Sequence, residues 1–394
     1  MKKFTWNEGQ QRGLDAFQDW RKNPNRPFCL QGFGGTGKST ITDEFLNILG
    51  SDVRVLCMGP TGKSARVLTQ KTGRPSSTAH KALYTPKRDE ISNLKVKLTE
   101  IYTEEHVDEE IIAQIEQRID ELEKDGSSVS FVLKMGAGEG ADVLLVDEYS
   151  MIPENIHKDI LSIGKPLIMV GDPGQLPPVK ARAGWDSIEP DVVLEKIERT
   201  SGEGAGINLA AQAVRLDRPM ENGPGFQMHP KKSLDWEHYS SADVVLAGTH
   251  VVRKHLNKGI RRFLGRPEGY PVEGDVLMCL SNNPAFGVVN GTMFKVLKIL
   301  RDSPKTVTAL VEDDVGSEII LPFWKQTLMD DEVSTSKVPF SAVPAVWGNC
   351  ITVHKSQGSE WPHVIVTDSW RGSDYDRWLY TAITRGSRHV DFVR

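Results

Sequence analysis

Short apolar runs alternate with helix-like stretches through the first half of the chain. The strand candidates are residues 28–31, 53–58, 143–147 and 167–171. Their alternation with helical stretches predicts a parallel sheet flanked by helices. Each run ends at its carboxyl side in a cluster of Gly, Pro, Asp or Thr. Ligands of such sheets bind at those ends, so one sheet edge is expected to carry the site.

Between the second and third of these strands the pattern changes. Leu98, Ile101, Ile111, Ile112, Ile115, Ile119 and Leu122 recur at spacings of three, four or seven, with Glu and Asp filling the other positions. That predicts a helix or helical pair over 95–124, a solvated insertion packed by one stripe. The Gly-rich stretch 136–140 leads back into the sheet.

A second alternation starts near residue 192, with strand candidates 192–194, 244–247, 351–353 and 364–367, and implies another parallel sheet. It is interrupted over about 271–345 by the runs 276–280, 292–300, 307–312 and 318–321, with turns at Asn290-Gly291 and Val315-Gly316. These predict a small antiparallel barrel. The expected class is therefore α/β, with two parallel-sheet domains, each carrying an inserted subdomain. The first domain is expected over 1–80 and 136–190 around an insertion at 81–135, and the second over 191–270 and 346–394 around the barrel at 271–345.

Composition changes this picture little. The 394 residues are 39% hydrophobic and 26% charged, ordinary for a globular chain with more than one core. No apolar run approaches the length of a membrane span, and after Lys2 and Lys3 the N-terminus turns polar, so a soluble intracellular protein is expected. Cys29, Cys57, Cys279 and Cys350 form no Cys-x-x-Cys pair and read as buried thiols. The net charge is −5, yet residues 100–125 alone hold eleven acids and two bases, so the remainder nets +4. A polyanionic partner is not excluded.

The chemistry begins at Gly32-Phe33-Gly34-Gly35-Thr36-Gly37-Lys38-Ser39, a P-loop pattern placed after a strand and before a helix. In such a loop glycines let backbone N–H groups converge on phosphate oxygens, Lys38 reaches the β/γ-phosphates and the Ser39 hydroxyl ligates Mg²⁺. Asp147-Glu148 closes the apolar strand beside it. Asp147 is expected to hold Mg²⁺, and Glu148 to orient and deprotonate the attacking water, which points to hydrolysis. Gln175 follows the next strand within Gly171-Asp172-Pro173-Gly174-Gln175-Leu176-Pro177-Pro178. It is long enough to sense a γ-phosphate, although on its own this segment reads as a Pro-rich turn with a surface glutamine.

Taken in order, these segments resemble the motif series of superfamily 1 DNA helicases of the B type, the RecD-like group, and more closely the Dda helicases of T-even phages. Asn7-Glu8-Gly9-Gln10 looks like the adenine-reading Q motif, and Gly59-Pro60-Thr61-Gly62-Lys63-Ser64-Ala65 and Ser77-Thr78-Ala79-His80 look like the first strand-contacting motifs. The most family-specific segments are Ile351-Thr352-Val353-His354-Lys355-Ser356-Gln357-Gly358-Ser359-Glu360 and Tyr380-Thr381-Ala382-Ile383-Thr384-Arg385-Gly386.

The resemblance implies two RecA-like domains with a helical or hairpin insertion in the first and an SH3-like barrel in the second. It implies an ATP-hydrolysing motor moving 5′ to 3′ on single-stranded DNA, a monomer acting at duplex junctions with replication or recombination proteins, in a bacterial or phage-infected cytoplasm. ATP would be held by Gln10, Gly34, Gly35, Thr36, Gly37, Lys38, Ser39 and Gly358, with Arg385 and Arg199 as arginine fingers. Thr61, Lys63 and His80 would contact DNA from one half, and Thr352, His354 and Lys355 from the other. Thr249-His250 departs from the Thr-Asn common in relatives, and Tyr149 replaces a small residue. The segment around Tyr84, Lys87 and Arg88, where relatives carry a strand-separating pin, has a weak hairpin signal and receives no pin assignment. A P-loop phosphotransferase and a non-catalytic nucleotide-dependent clamp are the competing readings. The first leaves 347–386 unexplained, and the second is disfavoured because Lys38, Glu148 and Arg385 are all present.

Overall fold

The computed structural model describes residues 5–101, 109–124, 131–178, 181–182, 184, 188–196, 204–331 and 338–394. Six strands form the first sheet, in the order Ser76–Thr78, Val55–Gly59, Val143–Asp147, Leu167–Gly171, Phe28–Gly32, Val192–Leu194. Every pairing in it is parallel. The central strands are apolar throughout because helices cover both faces. On one face Leu14, Phe17 and Trp20 of helix Glu8–Lys22 and Ile41 and Phe45 of helix Lys38–Leu49 pack on Phe28, Leu30, Leu145, Ile168 and Val170. On the other, Leu83, Tyr149, Ile152 and Ile160 meet Met58, Leu144, Val146 and Met169.

One strand lies in a different sheet from the one expected. Val192–Leu194 does not open the second sheet; it pairs with Phe28–Gly32 as the last strand of the first. Asp191 fixes this return, accepting a hydrogen bond from the Cys29 N–H at 2.8 Å and pairing with Arg26 at 2.5 Å. An apolar triplet records that it is a strand, not which sheet it joins.

The second sheet has five parallel strands in the order Cys350–Thr352, Val244–Ala247, Trp361–Thr367, Gly386–Val393, Phe226–His229. Its core joins Val244, Leu246, Val364, Val366 and Phe392 to Ile207, Ala211 and Val214 of helix Ala205–Arg215 and Trp378, Leu379 and Ile383 of helix Tyr375–Ile383. Two RecA-like parallel sheets thus make up the frame, as expected.

The interruption of the second sheet is an antiparallel sheet ordered Glu318–Trp324, Thr306–Asp313, Met293–Asp302, Val276–Cys279, Ala345–Trp347. An extra bridge between Phe323 and Val343 brings its two edges together. Gly291 (φ 89°) and Gly316 (φ 81°) take left-handed conformations at the two expected turns.

The acidic segment forms helices Lys87–Ile101 and Glu109–Lys124, packed through Leu94, Ile115, Ile119 and Leu122. They grow from a two-stranded antiparallel ribbon, Tyr84–Pro86 with Phe131–Leu133, which the sequence pattern did not announce. All four cysteines are buried free thiols, and burial pushes Cys29, Cys57 and Cys279 up to about 11. Among the described residues no helix is long and apolar enough to cross a membrane.

Candidate active site

The glycine loop leaves its strand at Gly32 and enters helix Lys38–Leu49 through Gly37 in a left-handed conformation (φ 84°). A Cβ at Gly37 would lie 2.6 Å from Gln10 Nε2. That space is needed because Gln10, buried on helix Glu8–Lys22, donates to the Thr36 carbonyl at 3.1 Å. Asn7 and Gln10 close a reciprocal capping box at the start of the same helix. The Q-like segment and the loop are therefore one unit. Lys38 folds back, its Nζ donating to the Gly32 carbonyl at 2.8 Å and the Phe33 carbonyl at 3.0 Å.

Beside the loop, Val143–Asp147 ends in two carboxylates. Burial and the neighbouring Glu148 charge raise Asp147 well above the usual carboxylate range, and Lys38 only partly offsets them. Glu148 sits at φ 50°, a left-handed backbone that holds it against the cleft. Its Oε2 is buried and has no hydrogen-bond partner among the described residues. The Ser39 hydroxyl accepts from Lys71 Nζ at 3.0 Å. A half-buried, under-neutralised carboxylate beside a hydroxyl and a second carboxylate oxygen is a donor set that fits a hard divalent cation.

Loop and carboxylates open into a cavity of about 860 Å³ whose far wall comes from the second sheet. Gly34, Gly35, Gly37, Lys38, Ser39, Asp147, Glu148 and Gln175 line it from one side, and Gly358, Ser359, Glu360, Trp361 and Arg385 from the other. Arg385 follows helix Tyr375–Ile383 and is buried. Its guanidinium donates to the carbonyls of Thr381 (3.0 Å) and Ser359 (3.1 Å), and to Gln175 Oε1 at 3.3 Å. Gln175 is buried, not a surface residue.

Further contacts cross between the sheets. The Tyr380 hydroxyl accepts from the Gly34 N–H at 3.0 Å and donates to Asp172 Oδ2 at 2.6 Å. Leu176 N–H donates to Thr381 Oγ1 at 2.9 Å, and Gln357 Nε2 to the Leu176 carbonyl at 2.9 Å. Arg215 stacks over Phe33, 3.9 Å from the ring centroid, and lies 3.5 Å from Asp172 Oδ1. Tyr380 and Thr381 belong to the family-specific segment 380–386, whose pattern gives no sign of these cross-sheet bonds. Arg215 had no signal at all, since an isolated helical arginine resembles any surface arginine.

The strand-contact candidates divide into groups. Thr61 caps helix Gly62–Thr72, and the next residue, Gly62, abuts Val289, to which an added Cβ would come within 2.9 Å. The neighbouring Asn290 side chain accepts from Lys355 Nζ at 2.8 Å. Thr352 immediately precedes the short helix Val353–Ser356 that carries His354 and Lys355. Residues 289–290 thus join candidates from both halves. Burial lowers His354, Lys355 and the nearby His250 below their ordinary values. His80 lies apart on an exposed face, stacked on Tyr84 (4.9 Å) and edge-on to Phe131 (5.0 Å). Lys63 turns into the large cavity and pairs with Asp314 Oδ2 at 2.7 Å, while Arg66 beside it pairs with Asp313. Arg199 lies outside the described residues.

Comparison with known proteins bears on this geometry. Residues 5–223 match the family described as an AAA domain, and residues 348–393 the UvrD-like helicase C-terminal domain. The chain is 25% identical over 395 aligned positions to the ATP-dependent RecD2 DNA helicase of Deinococcus radiodurans, covering 92% of this chain and 46% of that protein. It therefore spans about half the length of that curated relative. Among solved structures it is similar to a Bacteroides Pif1 helicase in complex with ADP-AlF3 and single-stranded DNA (TM-score 0.56, 18% identity, 99% of this chain and 92% of that one). It is also similar to the Pif1 helicase of Candida albicans (TM-score 0.55, 16% identity, 99% and 94%). At these identities the structural likeness concerns the fold.

Proposed function

This chain belongs to the AAA-domain family and to the RecD-like group of superfamily 1 B-type helicases, and from that premise we propose that it is an ATP-driven motor on single-stranded DNA that opens duplex junctions. The observation that carries the reading is Arg385. A guanidinium from the second domain shares a cavity with the glycine loop of the first and touches Gln175, which lines the same cavity. Phosphate held by one half and its charge stabilised by the other couples hydrolysis to relative movement of the two.

In this reading Gln10 and Gly358 complete the nucleotide contacts made by Gly34, Gly35, Thr36, Gly37, Lys38 and Ser39. Lys38 leaves its carbonyl partners for the β/γ-phosphates. Glu148 accepts the proton of the attacking water, Gln175 orients that water, and Arg385 stabilises charge on the transferring phosphoryl group, with Arg199 as a second finger. Ser39 and Asp147 would hold Mg²⁺, which when bound neutralises charge on the β- and γ-oxygens. Thr61, Thr352, His354 and Lys355 grip phosphates without reading bases, Lys355 from beside Asn290, and His80 with Tyr84 and Phe131 offers a stacking face. Movement 5′ to 3′ is the direction the family resemblance implies.

The deciding experiment measures ATP hydrolysis with and without single-stranded DNA, then unwinding of duplexes bearing a 5′ or a 3′ tail. Strand-stimulated turnover, lost in Glu148→Gln while nucleotide binding persists, and unwinding from the 5′ tail are expected. Turnover indifferent to DNA and transferred to a small acceptor would replace the motor by a phosphotransferase.

A further inference from the structure

On the second sheet, outside the chemistry assigned above, three histidines surround one carboxylate. His363 Nε2 lies 2.9 Å from Asp391 Oδ2, His389 Nε2 3.1 Å from Oδ1, and His229 Nε2 2.7 Å from Oδ1. We propose that His363, His389 and Asp391 bind one divalent transition-metal ion of the zinc class, with His229 orienting the carboxylate.

The backbone builds this constellation. His363 and His389 are register partners on the adjacent strands Trp361–Thr367 and Gly386–Val393, so their side chains emerge side by side. Asp391, two residues beyond His389, returns to the same face by the period of the strand. Ring centroids of His363 and His389 are 5.0 Å apart. The ligand atoms of these three residues all lie within 4.8 Å of one another. Tetrahedral ligands at about 2.0–2.2 Å from a zinc ion stand roughly 3.3 Å from each other, so the ion is admitted when the two histidine–carboxylate contacts open slightly and any wider separation closes around it.

Donor chemistry selects the metal. Two imidazoles and one carboxylate suit zinc and its first-row neighbours, whereas magnesium and calcium demand oxygen ligands. The carboxylate is nearly buried while the His363 and His389 side chains keep 26% and 39% exposure, giving a firm base and an entrance from solvent. His229, from the third strand, holds Asp391 as an outer partner holds a metal-binding carboxylate. Three protein ligands leave a coordination position for water.

The bound ion would tie together two strands that begin at the cleft. Trp361 N–H donates to the Arg385 carbonyl at 2.9 Å, and the His363 N–H bonds Asp243, a residue of the large cavity. The competing state is purely hydrogen-bonded, since one carboxylate can accept three N–H donors.

The test separates the two. Chelator-stripped protein, saturated with Mg-ADP so that Ser39 and Asp147 are occupied, is dialysed against micromolar zinc chloride and its metal content measured. One tightly held equivalent is expected. The double variant His363→Gln/His389→Gln should lose it, and His229→Gln should keep the stoichiometry with about 10–100-fold weaker affinity. In the unmutated chain, zinc should move the Nε2 resonances of two histidines in long-range ¹⁵N correlation spectra, a readout independent of how the variants fold. No zinc retained by the unmutated chain, equal retention by the double variant, or shifts confined to other histidines would overturn the proposal.

Discussion

Tyr380 stands between Gly34 and Asp172, its hydroxyl accepting from the loop N–H at 3.0 Å and donating to the buried carboxylate at 2.6 Å. The glycine loop of one domain and the helix preceding Arg385 of the other are thereby held by a single oxygen. Removing it leaves a buried carboxylate oxygen and a half-buried N–H each short of a partner, which costs about 1–3 kcal/mol. Tyr380→Phe is expected to lower unfolding stability by that amount in urea titrations. Because the ring survives, the Arg215 and Phe33 packing should remain, and ATP turnover should fall further than the stability loss alone explains.

For Arg385 the expectation is catalytic. Its acceptors, among them Thr381 O, Ser359 O, Gln175 Oε1 and Thr384 Oγ1, use the guanidinium fork that a lysine ammonium does not reproduce. Arg385→Lys and Arg385→Ala should both reduce kcat by about 10³-fold or more, while the affinity for a fluorescent ATP analogue stays within a few-fold. Turnover preserved in Arg385→Lys would remove the finger role.

Asp147 makes a prediction about pH. Its folded-state value is raised, by burial first and Glu148 second, so the stability associated with its protonated form is present at acid pH and fades as the pH climbs through the raised value. In magnesium-free buffer Asp147→Asn should therefore melt higher than the unmutated chain, by on the order of 1–3 °C near neutrality, and the gap should close toward pH 4. Added Mg²⁺ should narrow the gap by stabilising only the carboxylate form. Thermal melts across pH with and without the ion check both signs.

Lys355 tests the strand path. Its Nζ is held by Asn290 beside the residues that meet Gly62, where both halves contribute. If it neutralises one phosphate, Lys355→Ala should weaken single-strand binding uniformly across sequences. The slope of log affinity against log salt should become shallower by about 0.7. Fluorescence anisotropy at several salt concentrations reads it, and an unchanged slope would take Lys355 out of the path.

What the sequence disclosed follows the range of the interactions involved. The glycine loop and the Asp147-Glu148 pair are set by neighbours a few residues away, and each is legible in order along the chain. Both parallel sheets follow from apolar runs broken by helices. Illegible were relations set by where elements dock. Val192–Leu194 joins the first sheet because Asp191 bonds Cys29 and Arg26, far upstream. The Tyr380–Gly34 contact spans 346 residues and exists only once two domains meet. Lys63 read as a strand contact by its motif, yet its partner Asp314 lies on a hairpin of the antiparallel insert. The histidine cluster needs three strands in register, and no spacing within one strand announces it.

The acidic helices leave and rejoin the first domain through Tyr84–Pro86 and Phe131–Leu133, two strands lying side by side. An excursion whose two feet touch is a detachable module. Its length is free to vary between relatives without disturbing the sheet beneath, and a short turn could bridge the feet once the helices are excised. The two-sheet frame and its acidic appendage are thus separable in architecture, and each can be redesigned while the other is left alone.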